Sequence, residues 1–116
     1  MALADLEFRD AGQVLVACVS GEIDMANAPD LRSAVAHELS NQPLALVLDL
    51  SGVDYLDSAG IQVIYDLRER LRERGQRLAL VVGGDSPIAE TLRIVDLPSA
   101  VPVADSVDAA MRRVTD

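Results

Sequence analysis

Apolar residues along the chain alternate in two periods, and the switches between them mark the elements. Residues 6–9 and 14–20 are strand-like runs flanking Asp10-Ala11-Gly12-Gln13, a polar turn containing glycine, so they predict an antiparallel hairpin whose second strand ends at Gly21. After the polar loop Gly21-Glu22-Ile23-Asp24, Asn27 stands where a helix cap belongs and Pro29 fits a first turn. Leu31, Val35 and Leu39 then recur on one face, predicting a helix over 28–39. Residues 44–48 are apolar at every position, as in a strand covered by helices on both sides.

Residues 58–74 carry Ile61, Ile64, Leu67 and Leu71 on one stripe and charged residues on the other, closed by Gly75. A strand over 77–82 precedes Gly83-Gly84 and a helix opening near Ser86-Pro87 with Ile88, Leu92 and Val95 at helical spacing. Residues 100–103 contain Pro102, which lacks a ladder donor and suits a sheet edge. Val107, Ala110, Met111 and Val114 mark a closing helix. Strands alternating with helices give an α/β fold: a mixed, mostly parallel sheet, an N-terminal antiparallel hairpin, and helices packed against the sheet.

With 116 residues and 50% hydrophobic content, the chain is expected to form one domain over 1–116. Neither a signal-like start at residues 1–5 nor an apolar run of spanning length is present, so a soluble, cytoplasmic protein without a membrane partner is expected. A formal net charge of −9 argues against nucleic acid as a partner, because phosphate backbones are held by clustered cations. All ten basic residues are arginine, which excludes P-loop and Schiff-base chemistry that depends on lysine. Cys18, the single cysteine, lies in an apolar run and is expected to be a buried, inert thiol.

In a parallel sheet the loops leaving the carboxyl ends of the strands gather on one rim, which here should join residues 21–27, 51–60 and 83–86. Those loops place Glu22, Asp24, Asp54 and Asp57 around Ser58. Ser58 has two readings: a side-chain cap for the long helix, contributing about 0.5–2 kcal/mol, or a hydroxyl presented for chemistry. Gly60, unfavourable in a helix by about 1 kcal/mol, hints that something approaches the backbone there. His37 sits beside Glu38 on the first helix, away from these loops, and supports no Ser-His-Asp arrangement. The carboxylates lack the spacing of a calcium loop, and Gly83-Gly84 alone reads as a turn. No catalytic residue, metal site or cofactor is assigned.

The segment Gly21-Glu22-Ile23-Asp24, paired with Asp49-Leu50-Ser51-Gly52-Val53-Asp54-Tyr55-Leu56-Asp57-Ser58-Ala59-Gly60-Ile61, resembles the STAS family of anti-sigma factor antagonists over nearly the whole chain. The resemblance implies a binding module, not an enzyme. It implies that Ser58 is phosphorylated by an anti-sigma factor that is a serine kinase, and that a phosphatase reverses this. Only the unphosphorylated form would bind the kinase and so release a sigma factor. By the same resemblance Glu22, Asp24, Asn27, Asp57, Ser58, Ala59, Gly60 and Gln62 form the partner-binding surface. Ala59 stands where the family commonly has a second hydroxyl, which leaves Ser58 as the acceptor. STAS domains also serve as subunits docked on transporter ATPases or sensory scaffolds, the alternative reading.

Overall fold

The structure, a computed structural model, describes residues 5–115; the start of the segment read for a signal, residues 1–4, lies outside them. Strands β1 (Asp5–Ala11) and β2 (Val14–Ile23) form the expected antiparallel hairpin. Its turn is tighter than the pattern suggested: pairing continues to Ala11 opposite Val14, leaving Gly12-Gln13 to reverse the chain, with Gly12 at φ 66. Nor does β2 stop at Gly21. That residue, at φ 94, sits at a register shift and carries the strand through a bulge to Ile23.

Helix α1 (Ala28–Glu38) leads through a short 3-10 turn to β3 (Ala45–Leu56), α2 (Ser58–Glu73) and β4 (Arg77–Val81). Then follow α3 (Ala89–Ile94), β5 (Val103–Ala104) and α4 (Val107–Thr115). The sheet order is β1-β2-β3-β4-β5, with every pair after the hairpin parallel. Pro102 directly precedes the two-residue edge strand and contributes only its carbonyl, which accepts from the Leu80 N–H.

Along β3 and β4, side-chain size divides the two faces of the sheet. Leu46, Leu48, Leu50, Leu78 and Leu80 belong to one core with Leu31 and Val35 of α1, Leu67 and Leu71 of α2, and Leu92 of α3. The small side chains Val14, Val16, Ala45, Val47, Ala79 and Val81 belong to a second core with Ala110 and Val114 of α4. The all-apolar run in β3 therefore does report helices on both sides. Leu44, placed in that strand by its hydrophobicity, precedes it and is 62% exposed. Val95 likewise leaves the predicted stripe, because α3 ends at Ile94 and only Ile88 and Leu92 turn inward. Cys18 is half-buried beside the second core, its Sγ 3.6 Å from Arg9 Nη2, so the expectation of a buried thiol fails. Its place on β2 lies toward the end of the sheet face that the short α4 covers.

The decisive departure is the length of β3. Residues 51–56, part of the loop expected over 51–60, continue the strand instead, with pairing to β2 from Ser20 opposite Gly52 to Ile23 opposite Leu56. Pairing with β4 stops at Asp49 opposite Val81. A two-stranded β2–β3 ribbon thus overhangs the parallel sheet, and α2 starts from its tip. The close of α2 is as expected: Gly75 at φ 69 allows Gly75 N–H to reach Arg72 O and Gln76 N–H to reach Leu71 O. Among the described residues, no helix is long and apolar enough to cross a membrane.

Candidate functional site at the ribbon tip

At the end of β2 the chain laces itself into a compact loop. Asp24 Oδ1 accepts from the N–H groups of Ala26 (2.9 Å) and Asn27 (3.3 Å), while its carbonyl accepts from Ala28 N–H at 2.8 Å. Asn27 occupies the cap position of α1, yet its side chain makes no cap bond. It turns back instead: Oδ1 accepts from Asp24 N–H at 3.0 Å and Nδ2 donates to the Glu22 carbonyl at 2.8 Å. Only 7% exposed, it is a buried polar residue whose hydrogen bonds hold the loop's shape. The sequence reading of Asn27 as a capping side chain is corrected accordingly.

Asp57 joins this loop to α2. Its Oδ1 accepts from Ala59 N–H (2.9 Å) and Gly60 N–H (3.2 Å), and its Oδ2 accepts from Met25 N–H at 3.2 Å, across 32 residues of sequence. Its own N–H reaches Ile23 O at 3.3 Å. The helix cap is therefore Asp57, and the reading of Ser58 as the cap is replaced. Ser58 becomes the first helical residue, exposed, its hydroxyl without a hydrogen-bond partner among the described residues.

Gly60 is where something approaches the backbone, but that something is the core. A Cβ there would overlap the Leu56 side chain and come within 2.9 Å of Ile23 Cγ2. The residue is buried, so its contribution is to let α2 settle onto the ribbon. Gln62 is exposed one turn from Ser58, donating to Asp66 Oδ1 at 2.9 Å, and Asp66 in turn pairs with Arg32 of α1 at 3.3 Å. Ala59 lies half-buried beside them.

Seven of the eight surface candidates thus gather around the tip, while Gly60 lies beneath it. Glu22, Ser58 and Gln62 face solvent; Asp24, Asn27 and Asp57 hold the scaffold that presents them. Residues 83–86 do not share this rim by register: β4 ends level with Asp49, eight positions before Asp57. Met25 was missed. It is 77% exposed and, with Pro29, Ala59 and Val63, lines a groove of about 200 Å³ between α1 and α2. The available signal was an unbranched apolar side chain inside an otherwise polar loop. Among the described residues, no group of three or more His, Cys, Asp and Glu side chains is placed to hold a metal ion.

Comparison with known proteins bears on this geometry. A family model described as STAS domain matches residues 5–110. The chain is 33% identical over 97 residues to BtrV of Bordetella bronchiseptica, a candidate anti-sigma factor antagonist, covering 84% of this chain and 83% of that protein. It is 36% identical over 62 residues to the anti-sigma-F factor antagonist RsfB of Mycobacterium tuberculosis, 53% of this chain and 51% of that one. The crystal structure of an anti-sigma factor antagonist from Mycobacterium paratuberculosis superposes with a TM-score of 0.88 at 31% identity, covering 97% of this chain and 95% of its own.

Proposed function

This chain belongs to the STAS domain family, and on that premise we propose that it is a cytoplasmic anti-sigma factor antagonist, a binding protein with no catalysis of its own. In this reading its unmodified form binds an anti-sigma factor that is also a serine kinase, and so frees a sigma factor. Phosphorylation of Ser58 by that kinase ends the binding, and a phosphatase restores it.

The observation that carries the reading is the division of labour between Asp57 and Ser58. Because Asp57 caps α2, Ser58 is not needed for the helix, and its exposed hydroxyl has no competing partner in the fold. A kinase can extract no structural bond by modifying it. Around it Glu22 and Gln62 offer polar contacts, and the Met25 groove offers an apolar one, the mixture expected of a protein interface. The relatives named as anti-sigma factor antagonists support the partner class. No observation favours the transporter-docked reading.

The test is a kinase assay with intact-mass detection on the wild type and a Ser58→Ala variant. The wild type is expected to gain one phosphate and the variant none, while the variant still captures the kinase. Equal phosphorylation of both proteins would overturn Ser58 as the acceptor. Failure of both to bind any anti-sigma factor kinase of the source cell would overturn the antagonist role.

A further inference from the structure

Met25 brings to the ribbon tip a chemistry that phosphorylation of Ser58 does not use. It is the most exposed large apolar side chain among the described residues, at 77%. A hydrogen-bonded loop holds it there: its N–H donates to Asp57 Oδ2 at 3.2 Å, and the N–H groups of Ala26 and Asn27 donate to Asp24 Oδ1. With Pro29, Ala59 and Val63 the side chain walls the groove between α1 and α2, and Ala59 directly follows Ser58.

A singly exposed apolar residue is ordinary on a protein surface, so exposure alone assigns nothing. What sets Met25 apart is an oxidisable thioether on the wall of a groove beside Ser58. Hydrogen peroxide converts such a thioether to a sulfoxide. A sulfur lone pair attacks one peroxide oxygen, the S–O bond forms as the O–O bond breaks, and the second oxygen leaves as water; sulfur gives up two electrons and the peroxide takes them. The product is polar where the parent was apolar. A partner's apolar side chain entering the groove would then bury the sulfoxide oxygen without a donor. The other described methionine, Met111, lies half-buried on α4 against the second core, on the opposite face of the sheet.

We propose that Met25 is a redox-sensitive modification site: oxidation by peroxide lowers the affinity of the unphosphorylated protein for its partner, a second off-signal beside phosphorylation of Ser58. This control of binding rests on the antagonist reading. The fold survives it, because a side chain this exposed contributes little to the core.

The full chain is treated with hydrogen peroxide, freed of it, and mapped by peptide mass before it meets an anti-sigma factor kinase that has never seen the oxidant. Met25 should gain one oxygen faster than Met111, with the melting temperature unchanged. Titration calorimetry should then find the Met25 sulfoxide form binding about tenfold or more weakly than untreated protein. Met25→Leu, compared only with its own untreated sample, should bind equally before and after peroxide. That variant keeps Cys18 and Met111, so a loss of binding there would assign the effect to them and overturn the proposal. It is also overturned if Met25 oxidises no faster than Met111, if the sulfoxide form binds undiminished, or if that form loses binding by unfolding. Failure of the untreated protein to bind any such kinase would instead overturn the antagonist reading, and the order of oxidation, read without a partner, tells the two failures apart.

Discussion

Asp57 satisfies three backbone donors with two oxygens, and its substitutions separate what each oxygen does. Alanine removes both the helix cap and the clasp to Met25, at an expected cost of about 1–2 kcal/mol. That corresponds to a melting temperature lower by about 5 °C for a chain of this size. Asparagine keeps a carbonyl oxygen for Ala59 and Gly60, since Asn and Asp cap almost equally well. Its NH₂ group, however, would face the Met25 N–H donor to donor, so the loop over 24–27 should loosen. Thermal melting should therefore place Asp57→Asn much nearer wild type than Asp57→Ala, while kinase binding weakens in both. Full-strength binding by a well-folded Asp57→Asn protein would mean that the clasp does not position the partner surface.

At the level of elements, the ribbon tip depends on the fit between α2 and the end of β3. Gly60→Ala tests that fit: the added methyl meets the buried side chains of Leu56 and Ile23. Overpacking of this kind costs about 1–3 kcal/mol, against which alanine gains up to about 1 kcal/mol of helix propensity. A net loss of about 1 kcal/mol in chemical denaturation is expected, and a more stable variant would contradict the packing argument. The same ribbon marks the limit of what the sequence discloses. Strands covered on both faces and a helix with a clean stripe were legible because burial writes itself as periodicity. Beyond Asp49 the buried residues of β3 are Leu50, Val53 and Leu56, spaced by three, since register shifts opposite Ser20 and Glu22 break the alternation. A strand with that spacing and with Asp54 and Tyr55 exposed reads as loop. Asp57 and Ser58 were legible as a pair, but which of them caps α2 depends on side-chain direction, and that follows from the backbone: Asp57 is extended, at φ −99 and ψ −172, and Ser58 is already helical.

For the molecule as a whole, the question is what a phosphate on Ser58 changes, and the magnitudes separate fold from binding. Phosphate adds about −1.5 to −2 charges at neutral pH to a chain already at −9. No native bond is lost, because the Ser58 hydroxyl makes none. The N-terminal field of α2 favours the new charge by about 0.3–1 kcal/mol. The N–H groups of Ala59 and Gly60, next along the helix, are already taken by Asp57, so the phosphate gains that field without their bonds. Repulsion from the Asp57 carboxylate opposes it, at about 1.5–2 kcal/mol for that charge some 4 Å from a carboxylate in water. The two terms leave a net cost of about 1 kcal/mol, and the phosphorylated protein should melt within a few degrees of the unmodified one. A partner surface fitted to a small hydroxyl meets a different balance, since a doubly charged group must lose its hydration there with nothing in this chain to compensate. A loss of about 3 kcal/mol, modest for such a mismatch, already weakens association more than a hundredfold. Titration calorimetry with an anti-sigma factor kinase should thus find tight binding by wild type and Ser58→Ala and weak binding by the phosphorylated form. Unchanged affinity after stoichiometric phosphorylation would reject the switch, and a large drop in melting temperature would mean that the modification acts by unfolding the ribbon tip instead of by blocking the interface.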